Sequence, residues 1–248
     1  MGELTSRDIE YVHGGSRMLG YLCAPTGAHE LPGIVLVHDA FGLNDDTIQT
    51  AERYAALGFA VFAADVWGDR TTATAESQIG PLIGGMVSDH ARWMGRIEAA
   101  HLTLAAQPEV DAEAIITAGY CFGASSALEY LRTGGNTRGV VSIHAGLDLL
   151  RPNWAAATTP ARVLVCTGAD DPMATAQMRS ELQVALSGAA IDWELNLYSD
   201  TKHAYTNPKS AFSPMPDVVA YNPQSAARSW ESTKRFLGEL FPDARPAA

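Results

Sequence analysis

The sequence predicts an α/β fold, a mostly parallel central sheet with helices on both faces, on three observations. Short apolar runs rich in β-branched residues recur along the chain, as at Gly33-Ile34-Val35-Leu36-Val37-His38 and Arg162-Val163-Leu164-Val165-Cys166-Thr167. Segments with apolar residues at helical spacing separate them, so that strands and helices alternate. The N-terminal stretch differs. Residues 8–24 alternate apolar and polar about His13-Gly14-Gly15, which predicts a β-hairpin ahead of the parallel part.

After a polar turn from Pro25 to Pro32, the run at 33–38 reads as a strand buried on both faces. Asp39-Ala40-Phe41-Gly42 then leads to a helix over about 45–57, with Ile48, Ala51, Tyr54 and Ala55 on its apolar side and Gly58 at its end. Phe59 to Asp65 is the next buried strand. Residues 66–85 are rich in Thr, Ala and Gly and lack strong periodicity, so they read as a surface insert near the site. A long helix is expected from about Met86 to Ala106, stopped near Pro108. Later strands are expected at 115–118, 139–144, 162–167 and 191–198, with helices behind Cys121, behind Pro172 and over about 225–240. No linker or repeat interrupts the pattern, and 248 residues suit one large domain.

Bulk properties exclude several classes. A formal net charge of -11 argues against nucleic acid or an anionic membrane as partner. No apolar run approaches the roughly 20 residues that a membrane helix needs. The first residues carry no basic region followed by an apolar core, so no signal peptide is expected. The three cysteines are scattered, which fits free thiols in a reducing cytoplasm better than a disulfide framework. No cluster of His, Cys and Asp has ligand spacing, so neither a metal nor another cofactor is expected.

One pentapeptide carries chemistry. Gly119-Tyr120-Cys121-Phe122-Gly123 follows a short apolar run and opens a helical pattern that Gly134-Gly135 stops. A Gly-x-nucleophile-x-Gly segment between strand and helix is the nucleophile elbow of the α/β-hydrolase fold, here with Cys in place of the usual Ser. A thiol of ordinary pKa is only a few per cent thiolate at neutral pH, so such a Cys needs a base and an acid that orients it. In this architecture they follow in that chain order: nucleophile, acid, base. Gly168-Ala169-Asp170-Asp171 lies just past a strand end, and both carboxylates qualify by position. The Gly-x-x-Asp spacing favours Asp171, which leaves Asp170 for the loop backbone. His203 is the sole histidine after His144 and supplies the base. The expected oxyanion donors are the backbone N–H groups of Phe122 and Ala40. Cys23 and Cys166 read as core packing. Phe41, Trp67, Phe122 and Tyr205 are candidates for the walls of an apolar acyl pocket.

These segments resemble the dienelactone hydrolase family, cysteine hydrolases of the α/β-hydrolase fold. The resemblance runs from about Gly20 to the last helix. It is carried by His38-Asp39-Ala40-Phe41-Gly42-Leu43-Asn44, Ala63-Ala64-Asp65-Val66-Trp67-Gly68, the elbow, Gly168-Ala169-Asp170-Asp171 and His203-Ala204-Tyr205-Thr206-Asn207-Pro208. It implies Cys121, Asp171 and His203 as the triad. It also implies that the carboxylate at position 39 contacts the resting thiol; the family usually carries Glu there, one methylene longer than Asp39. Enzymes acting on dienelactone itself bind its carboxylate through arginines, one shortly after the base. This chain has Asn207 there and no Arg between His203 and Arg228; Arg70, Arg92 and Arg96 are the alternative carboxylate partners, with surface charge the favoured reading of each. The expected activity is hydrolysis of a small carboxylic ester or lactone through an acyl-cysteine. A thioesterase, an acyl transferase or a hydrolase of phosphotriesters would use the same groups. A redox-sensing thiol on the same scaffold is the non-enzymatic alternative.

Overall fold

The computed structural model describes residues 3–244. Among them are eight strands of a mostly parallel sheet together with helices, the α/β class expected. The chain divides into two compact units, one built on the residues up to Ala118 and one on Gly119–Pro242.

The first unit contains β1 (Leu4–His13), β2 (Ser16–Pro25), β3 (Leu31–Val37), α1 (Asp45–Ala55), β4 (Ala60–Ala64), α2 (Glu76–Ser88), α3 (His90–Ala105) and most of β5 (Val110–Tyr120). Its strand order is β1-β2-β4-β3-β5. The hairpin β1–β2 pairs antiparallel from Leu4↔Pro25 to His13↔Ser16. Gly14 and Gly15 close it with φ of 57° and 76°, the doubly left-handed turn whose twist matches that of the flanking strands. Strand β2 runs antiparallel to β4, and β3 runs parallel to it. Asn44 starts α1 by accepting the N–H groups of Asp46 and Thr47, and Asp45 and Asp46 complement the positive end of the helix.

The one misplaced element lies here. The helix expected from Met86 starts instead at His90, because Asp89 leaves the helical conformation (φ −118°) and its carboxylate accepts the Arg92 N–H at 3.1 Å. Residues 86–88 close α2, so the weakly periodic insert is a loop to Ala75 followed by a helix. Gln78 Oε1 anchors that loop on the N–H groups of Thr74 and Ala75.

The second unit holds the end of β5, α4 (Phe122–Arg132), β6 (Gly139–Ile143), β7 (Arg162–Gly168), α5 (Ala176–Gly188), β8 (Asp192–Tyr198) and α6 (Pro223–Leu240). Strands β6, β7 and β8 are parallel neighbours. Leu128 and Leu131 of α4 pack with Val140, Val163, Val165, Trp154 and Leu182 in one apolar core. Under the loop between β6 and β7 sits a buried ion pair. Arg132 grips Glu129 through two bonds of 2.6 and 2.7 Å, and its Nη1 donates to the Asn153 carbonyl at 2.7 Å. Glu129 in turn accepts the Arg151 N–H, so each charge is hydrogen-bonded as burial requires.

Candidate active site

Cys121 is the single residue between β5 and α4, and its φ is +53°. An L-residue held in that region is strained and persists only where its surroundings fix it. Fixing is visible on both sides of the peptide. The Cys121 N–H points at the Ile143 carbonyl (3.0 Å) and at His144 Nδ1 (3.2 Å). The Cys121 carbonyl accepts the Ala124 and Ser125 N–H groups, both at 3.1 Å. Gly119 is required by the same turn: a Cβ there would lie 2.2 Å from the backbone of Gly123, closer than any side chain tolerates. The elbow expected from the pentapeptide is present.

A second close approach brings acid and base together. A Cβ on Gly168, the last residue of β7, would lie 2.0 Å from the Thr201 carbonyl, so only glycine lets the loop before His203 cross here. The Asp170 N–H donates to that carbonyl at 3.0 Å while its side chain stays exposed. Asp171 turns inward and is buried. Its Oδ1 accepts the Met173 N–H, and its Oδ2 stands 2.8 Å from His203 Nδ1. The other ring nitrogen, Nε2, is 3.1 Å from Cys121 Sγ. Of the two candidate carboxylates, Asp171 is therefore the one that meets the histidine, whereas Asp170 reaches the loop through its backbone N–H and not through its carboxylate.

Burial opposes a cationic His203, but the charge of the Cys121 thiolate and the hydrogen bond and charge of Asp171 outweigh it, and the imidazole is pushed up to about 10. The group can thus hold a proton beside a thiolate. The other two thiols are silent by contrast. Burial pushes Cys23 up to about 12 and Cys166 up to about 11, so neither ionises near neutral pH.

After His203 the chain makes an excursion and returns. His203 N–H donates to the Val218 carbonyl, and the Ala220 N–H donates to the His203 carbonyl, a parallel bridge that closes the loop on the histidine itself. Phe212, far out on this loop, is 88% exposed.

One residue beside the cysteine and histidine escaped the sequence reading. His144 follows β6 directly, in a left-handed conformation (φ 42°), and is buried against Tyr120, His203 and Tyr205. It was visible only as the end of an apolar run, and nothing in its neighbours signals the φ that turns its ring toward Cys121.

The remaining expected positions are distributed as follows. Phe122 opens α4 and is buried. Tyr205 has no exposed surface and packs edge-on against His144 and Tyr198. In the first unit, Ala40 is buried and Phe41 is partly exposed. Trp67 packs its ring 5.0 Å from that of His38. Asp39 uses Oδ1 to accept the Phe41 N–H at 2.8 Å, a local turn that its short side chain allows. Of the three arginines read as surface charges, Arg70 pairs with Asp8 and Arg92 with Asp89. Arg96 departs from that reading. It is buried and donates to the carbonyls of Val66 and Trp67 at 2.6 and 2.8 Å, holding the end of the β4 segment. Among the described residues no group of three or more His, Cys, Asp or Glu could hold a metal ion. No described helix is long and apolar enough to cross a membrane.

A strained residue between strand and helix, set in a mostly parallel sheet and followed in the chain by a strand-end acid and a loop histidine, defines an α/β-hydrolase. The class can be narrowed. The chain matches the dienelactone hydrolase family over residues 18–241 and belongs to it; it is a hydrolase. Among solved structures it is similar to a dienelactone hydrolase-like promiscuous phosphotriesterase from metagenomic libraries, with 34% identity, 96% of this chain and 99% of that one covered, and a TM-score of 0.90. A protein named m3DLH matches with the same identity, coverage and TM-score. A dienelactone hydrolase from Anabaena variabilis, 15% identical with a TM-score of 0.62, covers 98% of this chain and 99% of its own and shares the fold.

Proposed function

We propose that the protein hydrolyses small carboxylic esters or lactones through an acyl-cysteine intermediate on Cys121, with no cofactor. The observation that carries this reading is the unbroken line of hydrogen-bonding groups from Cys121 Sγ through His203 to Asp171, at 3.1 and 2.8 Å. The thiolate attacks the carbonyl carbon and forms the S–C bond. The negative charge that develops on oxygen is met by the Phe122 N–H, with the Ala40 N–H as second donor. Collapse expels the alkoxide, which takes the proton of the His203 imidazolium and leaves as alcohol, or stays attached as a hydroxyl if the substrate is a lactone. Water then attacks the thioester and gives its proton to His203. The S–C bond breaks, releasing the acid and restoring the thiolate. Asp171 holds the imidazole in the tautomer with the proton on Nδ1 and stabilises its cation. Asp39 is the carboxylate we assign to restrain the resting thiol, and Phe41, Trp67 and Tyr205 the apolar surroundings of the acyl group.

We read the chain as one hydrolase domain, on a family match that crosses both units. A nucleophile of this kind works only while reduced, which suits a reducing cytoplasm. Phosphotriesters are a second substrate class, favoured by the name of the metagenomic relative at 34% identity. The test is a panel of 4-nitrophenyl esters, lactones, thioesters and phosphotriesters, with acid quench and mass spectrometry of Cys121. Turnover with a Cys121-bound acyl group is expected, and Cys121→Ala should lower it by about a thousandfold or more. Unchanged turnover in that variant would overturn the proposal.

A further inference from the structure

His144 is buried and lies outside the line of hydrogen-bonding groups from Cys121 to Asp171, yet its two ring nitrogens reach the Cys121 N–H and the loop just after His203. The Cys121 N–H meets Nδ1 at 3.2 Å, and Nε2 stands 2.8 Å from Thr206 Oγ1, three residues beyond the base. An imidazole that accepts at Nδ1 while neutral must carry its proton at Nε2, so Thr206 accepts. The ring centroid is 5.3 Å from those of His203 and Tyr205, and 5.8 Å from that of Tyr120. Both backbones it joins are strained, with φ of 53° at Cys121 and 53° at Ala204 next to the base, and His144 itself has φ of 42°.

We propose that His144 is a positioning residue, one ring nitrogen holding the amide of the nucleophile and the other holding the loop of the base, so that Cys121 and His203 keep their register. This rests on the reading of Cys121 as nucleophile and adds to it a residue that never meets substrate. The neutral state is part of the device. Burial lowers the His144 pKa well below its ordinary value, and the charge of His203 lowers it further. Protonation would convert Nδ1 from acceptor to donor, repel the Cys121 N–H and set a second cation beside His203. The titratable groups around the ring are His203, Tyr205, Tyr120 and the Cys121 thiol. Burial holds Tyr205 protonated, well above its ordinary pKa, and His203, despite its own burial, is raised by the charge of Cys121 and by its hydrogen bond to Asp171.

The experiment compares His144→Leu, His144→Asn and Thr206→Val in the full chain. The Asn side chain keeps an acceptor near the Nδ1 position, Leu keeps none, and the Val variant removes only the partner of Nε2. Two readouts are taken: kcat and KM on a 4-nitrophenyl ester, and the pH profile of iodoacetamide alkylation at Cys121, followed by mass spectrometry. His144→Leu is expected to lower kcat about tenfold or more with KM nearly unchanged, and to move the alkylation profile to higher pH. His144→Asn should restore most of both, and Thr206→Val should fall between. A His144→Leu protein that is less heat-stable but keeps the native kcat and alkylation profile would overturn the proposal. So would a folded His144→Asn variant no better than His144→Leu. Should His144→Leu fail to fold, Thr206→Val decides: a native profile there overturns the proposal, a shifted one supports it. Alkylation needs no substrate, so absence of ester turnover in the wild type would sink the proposed reaction while leaving this test intact.

Discussion

Each unit ends a parallel strand with a buried histidine, and the two histidines do the same work on different residues. His38 follows β3 and His144 follows β6; both are neutral, their pKa lowered chiefly by burial. Each accepts a backbone N–H from another strand end, Val66 on His38 Nε2 at 3.1 Å and Cys121 on His144 Nδ1 at 3.2 Å. The tautomers are opposite. His38 carries its proton on Nδ1 and donates it to the Asp39 carbonyl at 2.7 Å, whereas His144 carries it on Nε2 and donates to a side chain, Thr206. In the first unit the histidine ties backbone to backbone and its neighbourhood is finished. In the second the tied residue is a strained cysteine whose sulfur faces a third imidazole. The same device serves as framework in one place and as support for reactivity in the other, according to which residue it holds.

The sharpest break of this contrast is expected at Asp171→Asn. It removes the carboxylate that fixes the His203 tautomer and should lower kcat about a thousandfold while the protein stays folded. Native turnover with 4-nitrophenyl esters would count against the assigned roles. Next in size is His38→Leu. It strands the buried Val66 N–H and should lower unfolding free energy by about 1–3 kcal/mol, read by urea titration. The alkylation profile of Cys121 should be untouched, and a profile displaced as far as that of His144→Leu would erase the distinction between the two histidines.

The smallest expected effect is on acid stability. His101 donates or accepts at Thr117 Oγ1 over 2.9 Å, and burial lowers its pKa to about 3. A folded pKa below the unfolded value of about 6.5 gives stability that is complete above that pH and is lost as pH falls through about 3, because the unfolded chain takes up the proton that the folded chain refuses. Tm should therefore decline from pH 6.5 downward. The decline should be shallower in the double variant His101→Leu/Thr117→Val, which removes the titrating group and its partner together. Parallel declines would show that this histidine is not a source of the acid sensitivity.

Residue order explains what could be read in advance. The hairpin was legible because Gly14-Gly15 interrupts strict alternation, and the acid was legible because Gly168 fixes where β7 ends. The elbow motif, the Gly-x-x-Asp spacing and chain order singled out Cys121, Asp171 and His203. Cys121 and Asp171 each stand within hydrogen-bonding distance of His203 because successive strand ends deliver these side chains to one edge. Three features left no local signal. Asp89 caps a helix inside what composition presents as continuous helix. Arg96 carries the residue type of a surface charge, yet its guanidinium binds carbonyls some thirty positions upstream. His144 owes its role to a left-handed backbone that no neighbouring glycine announces.

The bridge between His203 and Val219 has a consequence for how such a protein can change. The excursion after the histidine begins and ends on that one residue, with both of its peptide hydrogen bonds taken up in closing the loop. Length added or removed around Phe212 alters closure entropy only logarithmically and leaves the anchor in place. The segment is therefore a cassette. A change of length at its tip leaves both peptide bonds of the His203 anchor in place.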